Sequence, residues 1–192
     1  VHKIIAGYKS LSTTISINSI QESVMKKLPV LAGLLAGSLI AAPASIQAEE
    51  AMVLPIKRLS MDTAVKMAQA TIKKCRSLSY NVAVTVVDRG GHAQVMLRDT
   101  LAPDITLKIS RDKAYTAMSF NAATVTLKGR LFESAGSIGK MDGVVAIQGG
   151  LPINVGGTIL GGIGVSGASS KVDEDCAKAG LDAVLADLEM SM

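Results

Sequence analysis

The chain has no tryptophan, five aromatic residues in all, two histidines and two cysteines. Each shortage removes a class of function. Without a row of aromatic faces there is no platform on which nucleic-acid bases can stack. A zinc centre of the usual kind needs four His or Cys donors, and in residues 49–192, where His92 is the one histidine, it and Cys75 and Cys176 fall short of that. A serine triad needs a histidine base, and a cysteine nucleophile needs one too, so that only His92 is left to serve either. No glycine run leads into Gly-Lys-Ser/Thr, which removes the phosphate loop of nucleotide hydrolases. No catalytic constellation is evident in what remains.

What is present looks apolar and basic, with 48% hydrophobic residues and a net charge of +4. Residues 25–48, MKKLPVLAGLLAGSLIAAPASIQA, account for much of this. They combine a start methionine, two lysines, an apolar run and a small-residue end, the pattern of a secretory signal peptide. Gly33, Gly37 and Pro43 interrupt the run, and no basic cluster closes it, which argues against a lasting membrane span. Residues 1–24 are expected to be a disordered upstream extension, and residues 49–192 a single domain. That domain carries 16 Lys and Arg against 15 Asp and Glu, so no basic field remains to attract nucleic acid. The expected location is periplasmic or secreted. There Cys75 and Cys176 either pair as a disulfide or stay as two buried thiols.

In chain order, Ser60 caps an amphipathic helix of about five turns with apolar positions Met61, Ala64, Val65, Ala68, Ile72, Cys75 and Leu78. Residues 81–88 read as a β-branched strand, Arg89-Gly90-Gly91 as a turn, and residues 92–99 as its hairpin partner. Alternation there puts His92, Gln94, Met96 and Arg98 on one face. Asp104 is placed to cap a helical region over residues 105–123, in which Ile109, Ala114, Tyr115, Ala117 and Met118 are expected to be buried. Residues 125–143 read as a loop. Residues 144–148, VVAIQ, then open a three-stranded antiparallel meander, and a helix over about 172–189 closes the chain. The fold class is α/β of the α+β type, with about five antiparallel strands flanked by helices in the order α-β-β-α-β-β-β-α.

Eight of the eighteen glycines lie between Gly149 and Gly167. Gly162-Ile-Gly164-Val-Ser-Gly167 matches the dinucleotide fingerprint, but the parallel βαβ unit and the acidic residue that give the fingerprint its meaning are missing. These glycines are therefore assigned to turns and to close packing on the sheet.

His92, opening a strand after a Gly-Gly turn, is either a solvated hairpin residue or a ligand. Haem, which needs one or two axial donors and an apolar slot, suits so sparse a donor set. Met96 is a soft donor or an interface residue. Arg98, Arg111 and Lys113 are surface cations or partners for ligand carboxylates such as haem propionates.

The combination VTVVDRGGHAQVMLRD, SRDKAYTAMSF, GGLPI and GGIGVSGASSKVDEDCAKAG resembles the GlcG/HbpS-like haem-binding family, also called haem-degrading or DUF336 domains. The likeness runs from Leu59 to Leu188. It implies a five-stranded antiparallel sheet with flanking helices, homo-oligomers, and haem as cofactor. On that basis His92 is the candidate iron ligand, with Met96, Arg98 and Lys113 as further haem contacts. Two functions follow: an exported protein that captures, buffers or senses haem, or an oligomeric accessory domain that binds a small metabolite or a partner protein. Haem degradation is the enzymatic form of the first.

Overall fold

The computed structural model describes residues 52–133 and 137–192. The expected extension (residues 1–24) and signal peptide (25–48) lie outside the described residues. Helix α1 spans Met61–Ser77, with the Ser60 hydroxyl accepting from the Thr63 amide. Strands β1 (Ala83–Asp88) and β2 (Ala93–Arg98) form a hairpin, and α2 follows at Ile105–Phe120. A 3-10 turn (Thr124–Leu127), α3 (Lys128–Phe132) and a second 3-10 turn (Ile138–Lys140) lead to β3 (Gly150–Val155), β4 (Thr158–Ser166) and α4 (Ser170–Ser191). The sheet order is β2-β1-β4-β3 with every pair antiparallel, so two hairpins are joined through β1 and β4.

Four strands replace the expected five. Residues 144–148 do not join the sheet, because side-chain hydroxyls hold their backbone instead. The Val145 amide donates to Thr116 Oγ1 at 3.0 Å, and Thr124 Oγ1 donates to the Ile147 carbonyl at 2.7 Å. The meander is accordingly a two-stranded hairpin, closed by Gly156 and Gly157, both at positive φ as a tight two-residue turn demands. Much of the expected loop over 125–143 is short helical turns, since Leu127 and Leu131, four residues apart, are both buried. Helix α2 is one piece, ended by Asn121 at φ 46°, and the Asp104 side chain makes no capping bond. Ala114 and Ala117 are buried as expected, whereas Tyr115 is 38% exposed.

The two faces of the sheet are packed differently. Val84, Val86, Ile163 and Val165 join Met67, Ala68, Ile72, Ala177 and Val184 of α1 and α4 in one apolar core. Cys75 and Cys176 join these two helices in a disulfide, with Cα atoms 5.6 Å apart at a sequence separation of 101. On the opposite face α2 lies almost against the β4 backbone. A Cβ on Gly164 would sit 2.1 Å from the Ser110 carbonyl oxygen, and one on Gly162 2.3 Å from that of Ala114. At such a distance hydroxyls replace large apolar groups between the layers: Thr85 Oγ1 and Ser110 Oγ are hydrogen-bonded at 2.8 Å.

Lys113 ties the two layers together. It is buried, and its ammonium donates to the Val165 carbonyl at 2.8 Å and to Asp173 Oδ2 at 2.9 Å. Asp173, in the first turn of α4, also accepts the Ala168 amide at 3.0 Å. Burial pushes the Asp173 carboxyl above its ordinary value, against the opposing pull of the Lys113 ammonium. A buried pair of this kind adds little net stability over an apolar substitute, but removing one partner strands the other charge.

Two outcomes follow for urea unfolding. Gly164→Val should destabilise by about 2 kcal/mol or more through overpacking, while Gly156→Asn, with nothing within 4 Å of its Cβ position and a φ that Asn accepts, should stay within about 0.5 kcal/mol of wild type. Lys113→Met should cost about 3–5 kcal/mol, and adding Asp173→Leu should recover much of that loss.

Candidate functional site

The β1–β2 hairpin presents the most polar turn of the sheet. Asp88 Oδ1 accepts the backbone amides of Gly90 at 2.8 Å and His92 at 3.0 Å, and Arg58 Nη1 donates to Oδ2 at 3.2 Å. Gly91 adopts φ +82°, and a Cβ there would meet the Tyr115 ring at 2.8 Å, so the turn is pressed onto α2. Burial works to raise the Asp88 carboxyl, but the two amides, with the His92 and Arg58 charges, outweigh it and hold the group below its ordinary value. A lowered folded-state value means that this stabilisation is present above the ordinary carboxylate range and is lost as pH falls through the folded one.

His92 projects from this turn, its side chain 86% exposed and its Nδ1 3.7 Å from Asp88 Oδ1. A carboxylate beside one ring nitrogen biases the ring orientation, which is how outer groups prepare a histidine to bind metal. Asp88 carried no sequence signal of its own beyond its place four residues before His92 at a Gly-Gly turn, where Asp commonly folds back on the following amides.

The other residues singled out from the sequence do not gather around His92. A β-bulge at Gln94 breaks the β2 alternation, since Val86 faces Val95 and Val87 faces Ala93. Gln94 turns toward the α1 side, where its Nε2 donates to the Leu59 carbonyl at 3.1 Å. Met96 and Arg98 stay on the other face with Ala93, so the expected continuous face of His92, Gln94, Met96 and Arg98 is split by one inserted residue. Met96 is 40% exposed. Arg98 lies at the far end of the strand, roughly 15–20 Å of chain from His92 at the usual strand rise. Its Nη1 donates to the carbonyls of Asp99, Thr100 and Ala102. Lys113 is inside the protein, engaged with Asp173 as described above.

Two further places could receive a molecule. Arg111, with Lys108, Asp112, Tyr115, Asp142 and Gly143, borders a polar cavity of about 500 Å³ on the outer side of α2. Phe132 and residues 144–147 border a more apolar one of about 470 Å³, with Lys128 at its rim. Among the described residues no three His, Cys, Asp or Glu side chains gather as a metal site, and no helix is long and apolar enough to cross a membrane.

Comparison with known proteins agrees with this architecture. The chain is 32% identical over 131 residues to an uncharacterized 15.0 kDa protein of the Citrobacter freundii dhaT-dhaS intergenic region, covering 66% of this chain and 92% of that one. A double mutant of Streptomyces reticuli HbpS superposes with a TM-score of 0.65 at 30% identity, over 81% of this chain and 99% of that one. The crystal structure of a PduOC:haem complex superposes with a TM-score of 0.62 at 26% identity, over 66% of this chain and 95% of that one. The family model described as "Haem degrading protein HbpS-like" matches residues 59–182, and the chain belongs to that family.

Proposed function

We propose that this protein binds haem at the β1–β2 hairpin, with the His92 imidazole as the axial nitrogen, and that it captures, buffers or senses haem as an exported, periplasmic or secreted homo-oligomer. The Asp88–His92 pair carries the reading. It offers an exposed imidazole set beside a carboxylate that is itself fixed by two backbone amides. Family membership and the haem-bound PduOC neighbour support the same ligand. The residues fit haem as a donor set: one histidine is enough for an iron that brings four nitrogens of its own.

Bound haem supplies one-electron and oxygen chemistry. The chain's own residues bind and orient it. With the His92 side chain 86% exposed, a single chain offers the donor but only one wall of a slot, so a second copy facing the hairpin is the natural cover. Arg98 sits at the other end of β2, its Nη1 donating to the carbonyls of Asp99, Thr100 and Ala102. Lys113 supports the site through the fold rather than by contact. Export is supported by the signal-like residues 25–48, and a disulfide between Cys75 and Cys176 suits an oxidising compartment.

Titration with hemin is expected to give a saturable Soret shift that His92→Ala weakens at least about tenfold, equivalent to about 1.4 kcal/mol. Asp88→Asn should weaken it by less than His92→Ala does, because an outer partner is lost while the ligand is kept. A spectrum unchanged from free hemin overturns the reading, and an undiminished shift in His92→Ala overturns the assignment of the ligand.

A further inference from the structure

We propose that the cleft between α1 and β2 is a second binding site, for a small organic carboxylate with a short apolar body. It is independent of the haem hairpin. The cleft encloses about 390 Å³ and is bordered by Gln69, Ile72, Lys73, Arg76, Leu97, Arg98 and Asp99. Its cations Lys73 and Arg76 come from α1, while Arg98 borders the cleft from the end of β2 with its side chain on the sheet's other face.

The Arg76 guanidinium is held in place without being used up. Arg76 donates Nε and Nη2 to Asp99 Oδ1, which leaves Nη1 without a partner among the described residues. Lys73 is exposed and has no partner among the described residues. Asp99, the one acid of the cleft, is 3% exposed at its side chain and already satisfied by Arg76 and by the Val82 amide at 3.4 Å. It therefore positions Arg76 more than it repels an anion. The planar fork of the anchored Arg76, with Lys73 one turn away on the same helix, matches a carboxylate, and Ile72 with the half-buried Leu97 supplies an apolar floor that a bare inorganic anion would leave uncovered.

The test uses the full chain with labelled Ile and Leu methyl groups, free of hemin, titrated with sodium hexanoate and, separately, with hexanol and inorganic phosphate at matched ionic strength. Hexanoate should shift the Ile72 and Leu97 methyl resonances saturably, and neither control should do so. Lys73→Glu should weaken hexanoate binding about fivefold or more, whereas Lys74→Glu, the same charge change one residue outside the cleft, should leave it within about twofold. Non-saturating shifts, equal shifts with hexanol or with phosphate, or equal effects of the two lysine variants would each overturn the proposal.

Discussion

The close seating of α2 on the β4 backbone is the constraint from which the rest of this structure follows. With carbonyl oxygens of Ser110 and Ala114 lying where side chains of residues 164 and 162 would begin, only glycine is tolerated at those two positions. So narrow a layer excludes large side chains, and small residues and hydroxyls fill it instead. The same proximity brings the Lys113 ammonium within reach of the Val165 carbonyl and of Asp173 on α4. One buried charge pair thereby links the helix on one face of the sheet to a helix packed on the other.

This arrangement also determines what is left open. Helix α2 covers β1, β4 and β3 more fully than β2, which remains an edge strand with one side unpaired. The polar turn at one end of β2 carries His92, and the other end meets α1 at the cation-lined cleft. The bulge at Gln94 lies between them and gives the two ends different orientations. A rigid glycine-packed centre and a chemically varied edge suit a protein that holds a ligand at its margin, where a second copy can complete the enclosure.

Much of the fold was legible in the sequence because helical and strand periods were strong where one face is buried. Helix α1 and its Ser60 cap, the β1–β2 hairpin, the Gly156-Gly157 turn and the terminal helix all carry local signals. The missing fifth strand was not legible: VVAIQ has a strand's composition, and only the tertiary bonds from Thr116 and Thr124 divert its backbone from the sheet. The short helices at 124–132 and 138–140 were hidden by glycines, Leu127 and Leu131 being their large buried apolar residues among the described ones. For the site, His92 stood out by its rarity, but Asp88 acquires meaning only when the turn folds back onto it. Lys113 read as a cation free to meet a ligand, because no local pattern announces an aspartate sixty residues away. The cleft cations were equally hidden, since α1 and the end of β2 are distant in sequence and Lys73 and Arg76 look like an ordinary wet helix face.

The central claim is that this chain is a haem carrier using the exposed hairpin histidine. The visible absorption spectrum of the protein purified from haem-fed cells tests it most directly. A coloured protein with a Soret band displaced from that of free hemin, and with α and β bands typical of histidine-ligated iron, is the predicted result. A colourless protein from the same cells, folded and intact, would contradict it.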